Sequence, residues 1–204
     1  MLRVCVLASG SKGNATYVET SESRILIDAG LSAKELDRRL STIGACAADL
    51  DAWLVTHEHT DHCRGLGPMA RKFKVPVYLH PQTRQALKGV GDLPDVQEFE
   101  VGESIALRDL EITPFPLAHD AVAPVGYCID SAAGKVGVAT DLGVATRLVQ
   151  EQLRQCRALV LESNHDEQML RDGPYPWPLK QRVRGRHGHL SNGEAAELLQ
   201  GLLW

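Results

Sequence analysis

Cysteine is scarce in this chain of 204 residues, and the five present (Cys5, Cys46, Cys63, Cys128, Cys156) are odd in number with no two at C-x-x-C spacing. That excludes a disulfide framework and a zinc ribbon, and it points to a reducing, cytoplasmic setting. Long apolar runs are also missing, so no segment reads as a bilayer span. The first residues lack the charged start, apolar middle and small-residue end of an export signal. There is no excess of positive charge: 22 basic against 26 acidic side chains leave a net charge of −4. A nucleic-acid partner therefore has to be met by a local patch rather than by the field of the whole protein. Nor is there an internal repeat or a linker. With 44% hydrophobic and 24% charged residues, the chain reads as a single domain over 1–204, large enough to bury a core without staples.

Strand-like and helix-like segments alternate, with more strands than a simple β-α repeat gives, which makes this a mixed α/β layer protein. Strands are expected at Arg3–Ala8, Thr16–Glu19, Arg24–Asp28, Ala52–Thr56, Val75–Leu79, Val96–Val101, Ser104–Leu107, Leu110–Pro116, Val125–Ile129, Lys135–Ala139 and Ala158–Leu161. Helices are expected from the capping box Ser32-Ala33-Lys34-Glu35 to Leu40, at Leu66–Phe73, Gln82–Leu87 and Ala145–Gln155, and from the capping box Ser191–Glu194 to the chain end. Three prolines in Gly173–Pro178 forbid helix interior or central strand there.

The densest chemistry is His57-Glu58-His59-Thr60-Asp61-His62, three of the chain's eight histidines within six residues, directly after an apolar strand. Alternation points His57 and His59 the same way, and the turn carries Asp61 and His62 around a second centre. Imidazole and carboxylate are ligands for zinc, manganese and iron. The competing interpretation, a polar loop whose histidines cap backbone groups, does not account for three imidazoles and an aspartate at the end of one buried strand.

The pattern His57-x-His59-x-Asp61-His62 resembles the signature of the metallo-β-lactamase superfamily. The resemblance implies a four-layer αβ/βα sandwich with two divalent metal ions, zinc or manganese, between its sheets. It assigns His57 and His59 to the first metal and Asp61 and His62 to the second. Asp28, at the end of an early strand, is expected to orient the histidine loop without touching metal. His119, ahead of the Gly126-Tyr127 strand, completes the first metal's imidazoles, and Asp141 bridges the metals. Without the resemblance, His119 reads as a surface or cap residue and Asp141 as a helix N-cap.

Ser9–Thr16, Glu162–Asp166 and Tyr175–Pro178 together resemble the YycJ/WalJ-like metallohydrolases, a branch related to RNase Z and the cyclic phosphodiesterases. That likeness implies a metal-dependent phosphodiesterase, specifically a 5′-to-3′ DNA exonuclease linked to DNA repair, in which a metal-activated hydroxide attacks phosphorus. Asp61 takes the water proton, and His189 serves as general acid or phosphate contact. The segment carrying the branch's last ligand histidine has no counterpart before Trp204. The expectation is thus a C-terminally short domain with a weaker second metal, its final helix exposing Leu198, Leu199, Leu202 and Leu203. Ser11, Asn14 and His165 are candidate substrate contacts. Lys180, Arg182, Arg184 and Arg186, spaced by two, put four cations on one side of an extended segment suited to phosphates. A solvated basic loop is the alternative. His80 and His187 read as turn and surface residues, Cys63 as a buried thiol, and Trp177 as a base-stacking side chain or, more simply, a loop anchor. A small-molecule ester, thioester or cyclic-phosphate hydrolase, or a metal-binding remnant without turnover, would share the same cluster. The DNA reading needs no membrane partner, and oligomeric state is not encoded in these patterns.

Overall fold

The computed structural model describes residues 1–203. Alternation along the strands decides its layering. In β3 (Arg24–Ile27), Leu26 faces a core containing Trp53, Leu36, Leu40 and Met69, whereas Ile25 and Ile27 face one containing Ile112, Tyr127 and Val138. One strand feeds two cores, as a side-chain period of two allows when both faces of a sheet are covered.

The first sheet has six strands in chain order: β1 (Arg3–Ala8), β2 (Ala15–Glu19), β3, β4 (Ala52–Leu54), β5 (Val77–Leu79) and β6 (Val96–Glu98). It is antiparallel from β1 to β3 and parallel from there on. The second sheet, also in chain order, comprises β7 (Ile105–Leu107), β8 (Leu110–Pro116), β9 (Val125–Asp130), β10 (Val136–Ala139) and β11 (Ala158–Leu161), with only β10 and β11 parallel. Helices α1 (Ala33–Thr42) and α3 (Leu66–Phe73) cover the first sheet, with α2 (Thr60–Cys63) between them in sequence and α4 (Pro81–Ala86) after β5. Helices α5 (Arg147–Leu153) and α8 (Asn192–Leu202) cover the second around Phe115, Cys128 and Leu159, with α6 (Glu167–Asp172) and α7 (Trp177–Val183) on the connection. The result is the αβ/βα sandwich. Tyr127, fully buried, ties the sheets by donating its hydroxyl to the Val55 carbonyl at 2.6 Å.

The segment 177–183 departs from expectation: it is helical, not extended. Pro176 is the N-cap and Pro178 lies in the first turn, where a missing N–H costs nothing. The four cations therefore do not line one side. At Ser32 only half the capping box forms, because Glu35 turns to Arg38 and Arg39 at 2.7 Å instead of to the Ser32 amide; the Ser191–Glu194 box is complete. In α8, Leu198 is buried and Leu202 packs on the third core, leaving Leu199 and Leu203 exposed, so only part of the expected apolar face is bare. Trp204, to which the sequence pattern extends that helix, lies outside the described residues. Asp141 caps no helix, since the N-cap of α5 is Thr146. His80 caps α4, its Nδ1 accepting from the Gln82 amide.

Candidate metal centre

The site lies at the carboxyl ends of strands from both sheets, the usual ligand-binding edge in α/β layers. From the first sheet, β4 leads through Thr56 into the histidine loop, and β3 ends just before Asp28. From the second, β8 leads to His119, β10 ends before Asp141 and β11 ends before Glu162. The loop is laced to its neighbours by main-chain bonds: the Asn14 amide donates to Asp61 and the Ala29 amide to His62, each at 2.7 Å. This close crossing requires Gly30, because a Cβ there would sit 1.6 Å from the Asp61 carbonyl oxygen.

The outward nitrogens of the imidazoles are held by fixed partners. His62 Nδ1 faces Asp28 Oδ2 at 2.7 Å, His57 Nδ1 faces the Thr56 hydroxyl at 3.0 Å, and His119 Nδ1 faces the Gly188 carbonyl at 3.2 Å. Thr56 donates its own amide to Asp28 Oδ1 at 2.9 Å. Such partners set ring orientation and tautomer and leave the other nitrogen for a common centre. Three sets of converging donors result: His57, His59 and His119; His57, His62 and Asp141; and His119, Asp141 and His189. Asp61 stands at the edge, its carboxylate 3.9 Å from His62 Nε2 and lining the adjoining cavity.

Burial pushes the pKa of His57 well down and that of His119 down as well. For His62, burial is outweighed by Asp28 and Asp141, which raise it to about 10. For Asp141, burial would raise the carboxyl, but the bond to His62 at 2.7 Å holds it far below the usual carboxylate range. A divalent cation fits this donor set. His57 Nε2 and His59 Nδ1 face one another at 3.0 Å, and His62 Nε2 faces the Asp141 carboxylate at 2.7 Å and the Asn14 side-chain nitrogen at 2.9 Å. One ring nitrogen cannot serve a donor and an acceptor at once, and lone-pair donors aimed at a cation remove that conflict.

A cavity of about 420 Å³ opens beside the cluster, lined by Ser9, Ser11, Asn14, Asp61, Asp141, Glu162, Ser163, Asn164 and His189. His189 Nδ1 lies 2.6 Å from Glu162 Oε1 and 3.3 Å from Asp141 Oδ1. Burial alone would lower the pKa of His189, but Glu162 raises it. Glu162 also accepts the Leu142 amide at 2.5 Å, so it is fixed at both oxygens. Sequence reasoning gave this glutamate no role; its signals were a carboxylate closing an apolar strand and its place in the Glu162–Asp166 segment that carries the branch resemblance. Glu58 was missed too: it accepts the Val122 amide at 2.9 Å and pins the loop carrying His119.

The substrate candidates divide. Ser11 and Asn14 reach the cavity. His165 pairs its backbone with Ser191, is not among the lining residues, and keeps both ring nitrogens buried without a partner; the N-cap of α6 is Asp166. Arg182 is not a free cation, since it pairs with Asp120 at 2.5 Å. Lys180 donates to the Arg171 carbonyl at 2.6 Å, and Arg184 is exposed. Trp177 is no anchor, being 60% exposed. Cys63 is buried and donates to the His57 carbonyl, and His187 is exposed.

A beta-lactamase superfamily domain matches residues 23–203. With the sandwich and the histidine loop, this makes the chain a member of the metallo-β-lactamase superfamily, a metal-dependent hydrolase whose fold implies a divalent metal. Within that superfamily it stands with the YycJ/WalJ-like branch. It is 40% identical over 198 residues to exodeoxyribonuclease YycJ of Bacillus anthracis, covering 96% of this chain and 75% of that protein. It is equally similar to exodeoxyribonuclease WalJ of Streptococcus pneumoniae serotype 2 strain D39, covering 95% and 74%. Among solved structures, the metallo-β-lactamase fold protein YhfI from Bacillus subtilis superposes with a TM-score of 0.75 at 17% identity, over 98% of this chain and 81% of that one. Zinc-bound PqqB from Methylobacterium extorquens gives 0.69 at 18% identity, over 89% and 67%. Among the described residues no helix is long and apolar enough to cross a membrane.

Proposed function

We propose that the protein is a metal-dependent phosphodiesterase that removes nucleotides from DNA ends as an exonuclease. The observation that carries this reading is the bond between Glu162 and His189 at 2.6 Å, on the wall of the cavity that adjoins the imidazole cluster. A sugar alkoxide is a poor leaving group and needs a proton, whereas a thiolate does not. A histidine whose proton Glu162 favours, beside the cation site, thus suits phosphodiesters better than thioesters. The relatives named exodeoxyribonucleases support DNA as the polymer; digestion from 5′ to 3′ and a place in DNA repair follow from the branch resemblance.

His57, His59 and His119 would hold one cation, and His62, Asp141 and Asp61 a second, zinc or manganese, with Asp141 shared. A divalent cation there supplies Lewis acidity, lowering the pKa of water and offsetting charge on the phosphoryl oxygens. Asp61 accepts the proton of the attacking water at its carboxylate. Asp28 and Thr56 keep the rings of His62 and His57 turned inward. Ser11 and Asn14 bind non-bridging oxygens, and His189 delivers a proton to the departing oxygen while Glu162 fixes its ring. The domain over 1–204 acts as one unit in this scheme.

The test is leaving-group dependence. His189→Ala should cut the rate on single-stranded DNA by about 10²–10⁴-fold. It should affect a nitrophenyl phosphodiester, whose phenolate departs unaided, by less than about tenfold. Equal losses on both substrates refute the acid role. Wild-type protein that hydrolyses the small ester but leaves DNA intact refutes the nuclease reading.

A further inference from the structure

Helix α7 carries a face that the reaction leaves unused. Trp177, Lys180 and Arg184 recur at i, i+3 and i+7, one side of a helix. They line a shallow cleft with Glu167, Leu170, Arg171 and Gln181. Tyr175, two residues before Trp177, is 56% exposed and Trp177 is 60% exposed. Pro174, Pro176 and Pro178 alternate with them, and fixed φ angles hold the two rings outward at little further cost in chain entropy.

The electrostatics of the face are positive. Of its acids, Asp172 is matched by Arg171 at 3.5 Å, and Glu167 accepts from the Ser191 hydroxyl. Lys180 spends one donor on a carbonyl and keeps its charge. Arg184 and the exposed Arg186 form no ion pair among the described residues. The helix is also tied to the reactive centre. Arg182 holds Asp120, whose other oxygen lies 3.2 Å from His119 Nε2, and the Val183 carbonyl accepts the His189 amide at 2.8 Å. A rise of 1.5 Å per residue puts Trp177 about 8 Å along the axis from Arg182, roughly two base steps of a stacked strand.

Building on the reading of the protein as a DNA phosphodiesterase, we propose that Tyr175, Trp177, Lys180 and Arg184 form a platform for single-stranded DNA beyond the reactive phosphate. Bases stack on the two rings while phosphates run along the cations. Stacking of this kind needs an open base face, which a duplex hides, and it is tolerant of sequence. A second copy of the chain suits the face less well, because a two-fold contact would bring together two copies of the same net-positive surface.

The experiment compares metal-loaded wild type, Y175A/W177A and W177F on two substrates: a single strand of about a dozen nucleotides, and a nitrophenyl phosphodiester too short to reach α7. The double variant should lose about tenfold or more in kcat/KM on the strand and stay within about twofold on the small ester. W177F, which keeps an aromatic face, should retain most of the activity on the strand. If wild type and the double variant digest the strand equally, the platform is wrong and the nuclease reading stands. If wild type hydrolyses the ester but never the strand, the platform is overturned, and the nuclease reading fails with it only if duplex DNA is left intact as well. If sedimentation shows a wild-type dimer that the double variant dissolves, the face is a contact between copies and the platform is overturned.

Discussion

Two aspartates in the centre hold left-handed backbone, Asp28 at φ 62° and Asp141 at φ 57°. For a non-glycine residue that conformation costs about 1–2 kcal/mol, and aspartate is among the side chains that tolerate it. The turn at Asp28 aims its carboxylate back under the histidine loop, where Thr56 and His62 share it. Replacing the charge while keeping the shape isolates its contribution. Asp28→Asn should leave the fold intact and weaken metal binding by about 10–100-fold, as loss of a partner behind a ligand does. Competition against a chelator of known affinity measures this, and an unchanged constant would remove Asp28 from the site.

At the scale of elements, the glycine crossing is the tightest constraint. In Gly30→Ala the added carbon meets backbone, the Asp61 carbonyl at 1.6 Å and the Asn14 amide at 2.4 Å, so no rotamer change relieves it. Overpacking of this kind costs about 1–3 kcal/mol, a fall in Tm of roughly 2–12 °C for a domain of this size. Thermal unfolding of the metal-free protein reads the effect directly; a Tm equal to wild type contradicts the crossing. The need for Gly30 is not legible in the sequence, for a crossing is a long-range fact. Local signals were good where one element decides its own fate: β1, β8, β11 and α3 have the bounds their alternation and periodicity predict. They fail for α7, where the spacing of Lys180 to Arg186 reads as an extended segment, although prolines at 176 and 178 are at home at the start of a helix. They also failed where the partner is distant in sequence. Arg182 was counted as a free cation because Asp120 is 62 positions away, and Glu162 went unassigned because His189 follows only 27 later, across a helix-rich connection. The imidazole cluster was legible because its spacing is local, and His119 and Asp141 became legible only through the order of motifs.

For the whole molecule, the donor sets are unequal. Three imidazoles converge in one, while His62 and Asp141 converge only with His57, which the first set also uses, and have Asp61 at the margin of theirs. Titration with zinc or manganese should therefore show one tight and one weaker ion per chain, and chelation should lower the Tm, since a ligand bound only to the folded state stabilises it by mass action. Two equally tight ions would overturn the ranking. A Tm indifferent to chelation would mean the cation contributes nothing to the fold.

Each sheet is built from one continuous stretch of chain, β1–β6 first and β7–β11 after, and the centre draws groups from both. The proposed ligands thus form a clasp across a seam. Neither half can assemble the set alone, so the reactive arrangement comes into being at the moment the halves dock and vanishes when they part. A partly opened molecule would accordingly be an idle one, with no stray cleavage from half-folded protein.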